Sequence, residues 1–393
     1  MRDSINLNSF KDFVKSESAG GLLLLGSVAI SLVVANSSFR LPFEQILATP
    51  IGVNIPSVHL RYTVLQWIND GLMAVFFLLV GLEIKREIVE GELSSFKQAS
   101  LPVFAAIGGA VAPALIYLIF NGNSSTSAGW GIPMATDIAF ALGILSLLGK
   151  KVPASLKIFL AALAIADDLI AILVIALFYS ADVQVNFLGY SGILVLVLFL
   201  LNRYKVKKLI YYLVPGVLLW YFVHQSGIHA TVAGVLTAMM IPTTRDTNIS
   251  PLEKLEHFLT RPVNFFIMPI FALANTNISF EPGMIKSLGN SLSTGIMFGL
   301  LLGKPLGILF TSWLVTALKI SVLPRHATWT HIAGIGLLGG IGFTMSIFIS
   351  LLSFSDPLIQ TESKFAILIT STAAAIFGYA LLLFARKPGN TIN

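Results

Sequence analysis

The chain has 393 residues, 55% of them hydrophobic and 11% charged, with a mean hydropathy of +0.85. That is far more apolar than a soluble domain, so the chain reads as a polytopic membrane protein. The net charge of +6 does not point to nucleic acid, because the basic residues follow a one-sided loop pattern, and the absence of cysteine excludes a disulfide framework or a thiolate metal site.

Twelve apolar spans are expected, near residues 18–35, 62–83, 99–120, 128–148, 154–179, 185–201, 208–222, 226–241, 258–275, 291–317, 329–353 and 363–385. Most suffice to cross roughly 30 Å of hydrocarbon at about 1.5 Å per residue, though the seventh and eighth are short. Of the 25 Lys and Arg residues, 20 fall at the two termini and in the loops on the same side, four fall in the opposite loops, and Lys304 lies inside a span. Cytoplasmic loops carry the excess of positive charge, so both termini are expected in the cytoplasm. The first apolar run follows Lys11 and Lys15 as a signal peptide would. Cleavage near Ala35 would leave eleven spans with the wrong charge alternation, so the run is read as a span.

Residues 1–17 read as a short amphipathic helix at the cytoplasmic surface. After the first span, ILATPIGVNIPSVHLRY places Gly52 and Asn54 between short β-prone segments, which suggests an extracytoplasmic β-hairpin. The second span contains Asp70 and runs out into Glu83, Lys85, Arg86, Glu87, Glu90 and Glu92, a pattern expected for a solvated helix end with Arg86 attracting Glu90 at i,i+4. The fourth span, GWGIPMATDIAFALGILSLL, is interrupted. Pro133 cannot continue the hydrogen-bond ladder, and irregular backbone at that depth is tolerated only inside protein or beside a cavity.

The fifth span holds AALAIADDLIAILVIAL, with Asp167 and Asp168 adjacent in an apolar run. Among the histidines only His229 is placed in or near a span. The tenth span carries Lys304 about midway, too deep to reach water easily, so a carboxylate partner is expected. The eleventh has Gly334, Gly336, Gly339, Gly340 and Gly342 within nine residues, followed by Thr344, and reads as a second break. A shift of 208 residues superimposes Thr136 on Thr344 and Phe140 on Phe348. Paired interrupted spans of opposite direction point to a transporter site between inverted repeats.

Asp137, Asp167, Asp168 and Lys304 therefore lie at one depth. Ionisable groups there are functional candidates by default. Adjacent helical residues point about 100° apart, so one aspartate of the pair can meet lysine while the other faces a cavity. Carboxylates, the Thr136 hydroxyl and freed carbonyls suit a hard cation such as Na+ or Li+ and not a transition metal. A proton and a cation are alternative ways of neutralising a desolvated carboxylate, and their competition at a site open to one side at a time gives exchange.

The segments INDGLMAVFFLLVGLEIKRE, ATDIAFALGIL, LAIADDLIAI, LGKPLGI and GGIGFTMSIF resemble the NhaA family of bacterial sodium/proton antiporters, over nearly the whole chain. This family is itself a standing example of broken helices between inverted repeats. The resemblance implies an all-α integral membrane protein of twelve transmembrane helices in the inner membrane, forming a single polytopic domain. The repeats would lie near 96–180 and 290–386, the fourth and eleventh spans would cross as broken helices, and the other spans would form an interface part. It implies that Asp168 is the main cation ligand, with Asp167 and Thr136 beside it. Asp167 and Lys304 would carry proton exchange and form an ion pair when no cation is bound, and Asp137 would compensate helix-end charge. The transport implied is electrogenic export of Na+ or Li+ against H+, with no cofactor. A pH-responsive region would include Glu83, Arg86, Glu87, His229, Glu256 and His257, reversing the solvated-end reading of the second span. A homodimer through the loop at about 45–58 is also implied, with membrane lipids as the other partner.

Two other function classes use buried acids. An intramembrane aspartyl protease needs a GxGD signature that neither Asp137 nor Asp167 carries, and it has no use for Lys304. A passive cation channel could be lined by the same oxygens.

Overall fold

Apolar runs of this length must satisfy their backbone internally, and helices are the direct solution. A computed structural model describes residues 7–55, 58–180, 183–243, 249–281 and 283–385, and the chain is mostly helical. The first six residues of the expected surface helix, the hairpin turn at 56–57 and the basic C-terminal pair Arg386 and Lys387 lie outside the described residues.

In chain order, α1 (Leu7–Ala35) is followed after a 111° bend by a short α2 (Arg40–Ala48), an element with no counterpart among the sequence expectations. Strands β1 (Pro50–Ile55) and β2 (Val58–Thr63) pair antiparallel, with Gly52 opposite Arg61. Gly52 has φ +123°, and a Cβ there would collide with the Leu60 carbonyl, so glycine is required. A π turn at Trp67–Leu72 leads into α3 (Met73–Val89), and α4 (Phe96–Asn121) follows. Next come a 3-10 segment, Ser127–Met134, and α5 (Ile138–Leu147), separated by extended backbone. After them run α6 (Ala154–Phe178), α7 (Val185–Arg203), α8 (Ile210–Gln225), α9 (Thr231–Met240), α10 (Pro251–Asn275) and α11 (Ser291–Ala317). The eleventh expected span is α12 (Trp329–Gly339) and α13 (Phe343–Ser353), bent by 45° at the break, and α14 (Pro357–Phe384) ends the described chain. Among the described residues, seven helices are long and apolar enough to cross a membrane, or nine if each bent pair is one span. Twelve is therefore not reached on length and composition. In particular α8 has 16 residues and α9 only 10.

Two compact units emerge. One comprises residues 1–23, 92–171 and 281–393, and the other residues 24–91 and 172–280. In the first, α4 packs along α11 through small residues: a Cβ on Gly307 would run into the Gly108 carbonyl, and one on Gly303 into the backbone of Pro113. Close approach of backbones through glycine is how helices associate where no hydrophobic drive separates protein from lipid. At the other end of α4, the buried Tyr117 donates to the Thr126 carbonyl at 2.6 Å, and Asn121 Nδ2 donates to the Ser291 carbonyl at 2.8 Å.

In the second unit, α3 packs on α9 by the same device, with Gly81 against Val235 and Ala238, and Gly234 against Ala74 and Leu78. Lys85 closes the end of α9 by donating to the carbonyls of Met239 (2.7 Å) and Ile241 (2.5 Å), a cation on the negative helix end. Ser31 donates to the Leu273 carbonyl at 2.7 Å, tying α1 to α10.

Gly307→Val in the α4–α11 seam should destabilise the protein by about 1–3 kcal/mol through overpacking. The readout is the midpoint of thermal unfolding followed by size-exclusion chromatography in detergent, and an unchanged midpoint would mean that the two helices part freely there.

Candidate functional site

The site lies in the first unit, where both helical breaks occur. The 3-10 segment that holds Pro133 ends at Met134, and Ala135 and Asp137 adopt extended backbone before α5 begins. Helix starts leave N–H groups without intrahelical partners. Asp137 serves two of them: Oδ1 accepts from the Phe140 N–H at 3.1 Å, capping α5, and Oδ2 accepts from the Thr344 N–H at 3.2 Å and the Thr344 hydroxyl at 2.5 Å in the first turn of α13. The Asp137 N–H in turn donates to the Ile341 carbonyl at 2.7 Å. One carboxylate thus faces the positive ends of both helices, the arrangement that helix dipoles favour. Ser346 adds a further tie by donating to the Ile132 carbonyl at 2.7 Å.

The negative ends are used differently. Lys304 has no exposed surface, and its ammonium donates to Asp167 Oδ2 at 2.5 Å and to the Met134 carbonyl at the end of the 3-10 segment. Thr136 Oγ1 stands 2.7 Å from the same Asp167 oxygen and 2.8 Å from the Gly339 carbonyl at the end of α12. Asp167 Oδ1 is buried and has no hydrogen-bond partner among the described residues. Asp168, 3% exposed on the next position of α6, acts electrostatically on Lys304. Thr136, Asp137, Asp167, Asp168 and Lys304 are thus brought together, as their common depth suggests. Among the described residues, no three His, Asp or Glu side chains form a metal-holding group. A cation here would therefore rely on the two aspartates, the threonine hydroxyl and backbone carbonyls. The carbonyls of Met134, Gly339 and Ile341, and the hydroxyl of Ser346, escaped the sequence reading. Residue type does not encode where a carbonyl points.

The second unit gathers a different cluster. Arg86 pairs with Glu87 at 3.1 Å and with the buried Glu256 of α10, while Glu83 interacts with all three through its charge. The expected Arg86–Glu90 attraction is corrected: Glu90 accepts from the Thr243 hydroxyl at 2.7 Å instead. A partly buried guanidinium has turned to the carboxylate that a second helix presents. His257 is exposed, and His229 is held elsewhere in this unit, with Nδ1 2.9 Å from the Thr231 hydroxyl and Nε2 3.6 Å from Asp70. The expectation that only His229 lies in or near a span also fails. His331 is fully buried in the first turn of α12, where its Nδ1 completes a capping box with Thr328, and His224 stacks on Trp220 in the last turn of α8.

A family profile described as Na+/H+ antiporter 1 matches residues 11–382. The chain belongs to that family. It is similar to a Flavobacterium johnsoniae protein named Na(+)/H(+) antiporter NhaA 2, with 60% identity over 383 residues that cover 97% of this chain and 94% of the relative. It is also similar to a Brucella anthropi protein named Na(+)/H(+) antiporter NhaA 1, with 49% identity over 385 residues and 96% of each chain covered, and to a Brucella ovis relative at 48% identity covering 96% and 95%. The family is one of multi-pass membrane transporters and not of enzymes, so the protease reading of the acid pair is dropped.

In an antiporter-family chain built this way, Asp137→Ala should strand the N–H groups of Phe140 and Thr344 and cost about 1–3 kcal/mol. Asp137→Asn, which keeps an acceptor, should cost less. Thermal midpoints of the purified variants should rank wild type, Asn, Ala; equal midpoints would remove the capping role.

Proposed function

We propose that this protein exports cytoplasmic Na+ or Li+ in exchange for external protons, electrogenically and by alternating access, across the bacterial inner membrane with both termini in the cytoplasm. The observation that carries the reading is the pairing of Lys304 with Asp167 beside Asp168, at the meeting of two broken helices. Without a cation the ammonium neutralises Asp167. A cation arriving at Asp168, Asp167 Oδ1 and the Thr136 hydroxyl would bring a like charge next to Lys304, so its binding must expel protons. When the site faces the other side, protons replace the cation on the aspartates. With more than one proton per cation, net positive charge moves inward each cycle, and the membrane potential supplies about 2.3 kcal/mol per charge per 100 mV. Asp137 stays outside the exchange, since both its oxygens are engaged by helix starts.

The reading extends to regulation and assembly. Glu83, Arg86, Glu87 and Glu256, with His257 and His229, form the pH-responsive region. Its support is that Arg86 is shared by carboxylates from α3 and α10, so proton gain by either acid alters how those helices hold together. A second copy docks through the segment at 45–58, where the strand pair exposes Ile51 (55%) and Val53 (59%).

Asp168→Asn should abolish Na+-driven proton movement in everted membrane vesicles, read with a pH-sensitive dye, while the protein still inserts at wild-type levels. Retained exchange would sink the assignment of the site. For the second cluster, Arg86→Gln and Glu256→Gln should each shift the pH of half-maximal exchange, and the double variant should shift it no further than the larger single, because both remove one bond. Additive shifts would separate the two residues.

A further inference from the structure

Beside the site, a groove of about 570 Å³ runs between α4 and the 3-10 segment, with Met134, whose carbonyl accepts from Lys304, in its lining. Its size is that of an ordinary ligand pocket, roughly 300–1,000 Å³. Its origin is local. A 3-10 segment eclipses its side chains every three residues and cannot interlock with the ridges of an α-helix, and the lining from α4 includes the small side chains of Ala110 and Ala114. The exposed Val111 and Leu115 form one rim and Trp130 lines the groove. An apolar groove of this kind favours apolar guests.

The groove has a direction. One end lies at Leu118 and Ser127, beside the turn where α4 stops and the 3-10 segment starts. A polar cluster sits at that end: the Thr126 hydroxyl donates to Asn121 Oδ1 at 2.8 Å and lies 2.7 Å from the Ser124 hydroxyl. The other end lies at Ala110 and Met134, next to the helical break. The eight steps from Ala110 to Leu118 rise about 12 Å along the helix. Both walls belong to segments apolar enough to cross a membrane. A guest that suits the groove is therefore polar at the end where the span stops and a flexible hydrocarbon inward from it.

We infer that this groove is a binding site for one acyl chain of a membrane phospholipid, with its ester end at Ser127 and its tail end against Met134. The chain backs the residue whose carbonyl accepts from Lys304, so the bilayer supplies part of the wall behind the broken helix. The inference concerns lipid contact and stands whether or not the transport reading holds.

Trp130 provides the probe. A protein retaining Trp130 as its single tryptophan (Trp67, Trp220, Trp313 and Trp329 replaced by phenylalanine) is reconstituted in phosphatidylcholine carrying bromines at carbons 9 and 10, which quench indole on contact. A second protein retaining only Trp313, 54% exposed on α11, reports ordinary lipid contact. The expected result is that Trp130 loses more than half its emission, and that Ala114→Phe, which fills the groove, cuts that loss at least twofold while leaving Trp313 quenching unchanged. If Ala114→Phe also disturbs Trp313, the smaller change Ala110→Val is read in the same way. Quenching of Trp130 that neither filling variant relieves would overturn the inference, as would none at all. Quenching by an added bromoalkane but not by brominated lipid would also overturn it, assigning the groove to small apolar solutes.

Discussion

The constraint on which the rest depends is the ammonium of Lys304, which has no exposed surface. An unpaired charge at such a place costs several kcal/mol even after relaxation. Asp167 supplies the counter-charge, yet an ion pair alone leaves ammonium protons and carboxylate oxygens unserved. The remaining acceptor is the carbonyl of Met134, and that carbonyl is available only because the helical ladder stops there. Breaking a helix inside a membrane exposes further N–H and C=O groups, and the second break answers them. The Ile341 carbonyl takes the Asp137 N–H, the Gly339 carbonyl takes the Thr136 hydroxyl, and Thr344 turns to Asp137. Each irregularity is tolerated because another one satisfies it.

Placing Lys304 at that point has its own cause. Pro305 follows it, and a proline can neither donate to the carbonyl four residues back nor avoid crowding it. The helix responds with a π turn at Gly299–Gly303, directly before the lysine. The same pairing recurs in α10, where a π turn at Val263–Ile267 precedes Pro269. π turns inside α-helices are often found at functional sites, and here one sets the orientation from which the lysine leaves α11. The seam to α4 then has to be thin, and Gly303, Gly307, Gly108 and Gly109 make it so.

Much of this was legible in the chain. Residue type and depth identify the acid pair and the lysine, Pro133 and the glycine run mark both breaks, and Gly52 with its β-prone flanks announces the strand pair. The matching of Thr136 with Thr344 picks out the two breaks that bond to each other in the structure. What the chain conceals is direction. That Arg86 reaches Glu256 and not Glu90 depends on a helix 170 residues away, where local i,i+4 logic has no view. The 111° bend before α2 is written in no proline or glycine, only in the Asn36–Ser38 turn. His331 reads as one more residue near a loop until Thr328 makes it a helix cap.

The two aspartate environments finally divide the labour by helix polarity. Positive helix ends, at the starts of α5 and α13, converge on Asp137, so its charge is compensated by backbone that does not titrate. Negative ends, at Met134 and Gly339, converge on Lys304 and Thr136, so they favour donors and positive charge at that spot. Asp167 pairs directly with the Lys304 ammonium, and Asp168 acts on the same cation. A carboxylate held by backbone dipoles has its counter-charge built in, whereas one balanced by a single mobile ammonium can exchange that partner for another cation. The meeting of the two broken helices therefore separates a carboxylate compensated by backbone N–H groups from one compensated by a side-chain ammonium, and the proposed competition between a proton and a sodium ion concerns the second.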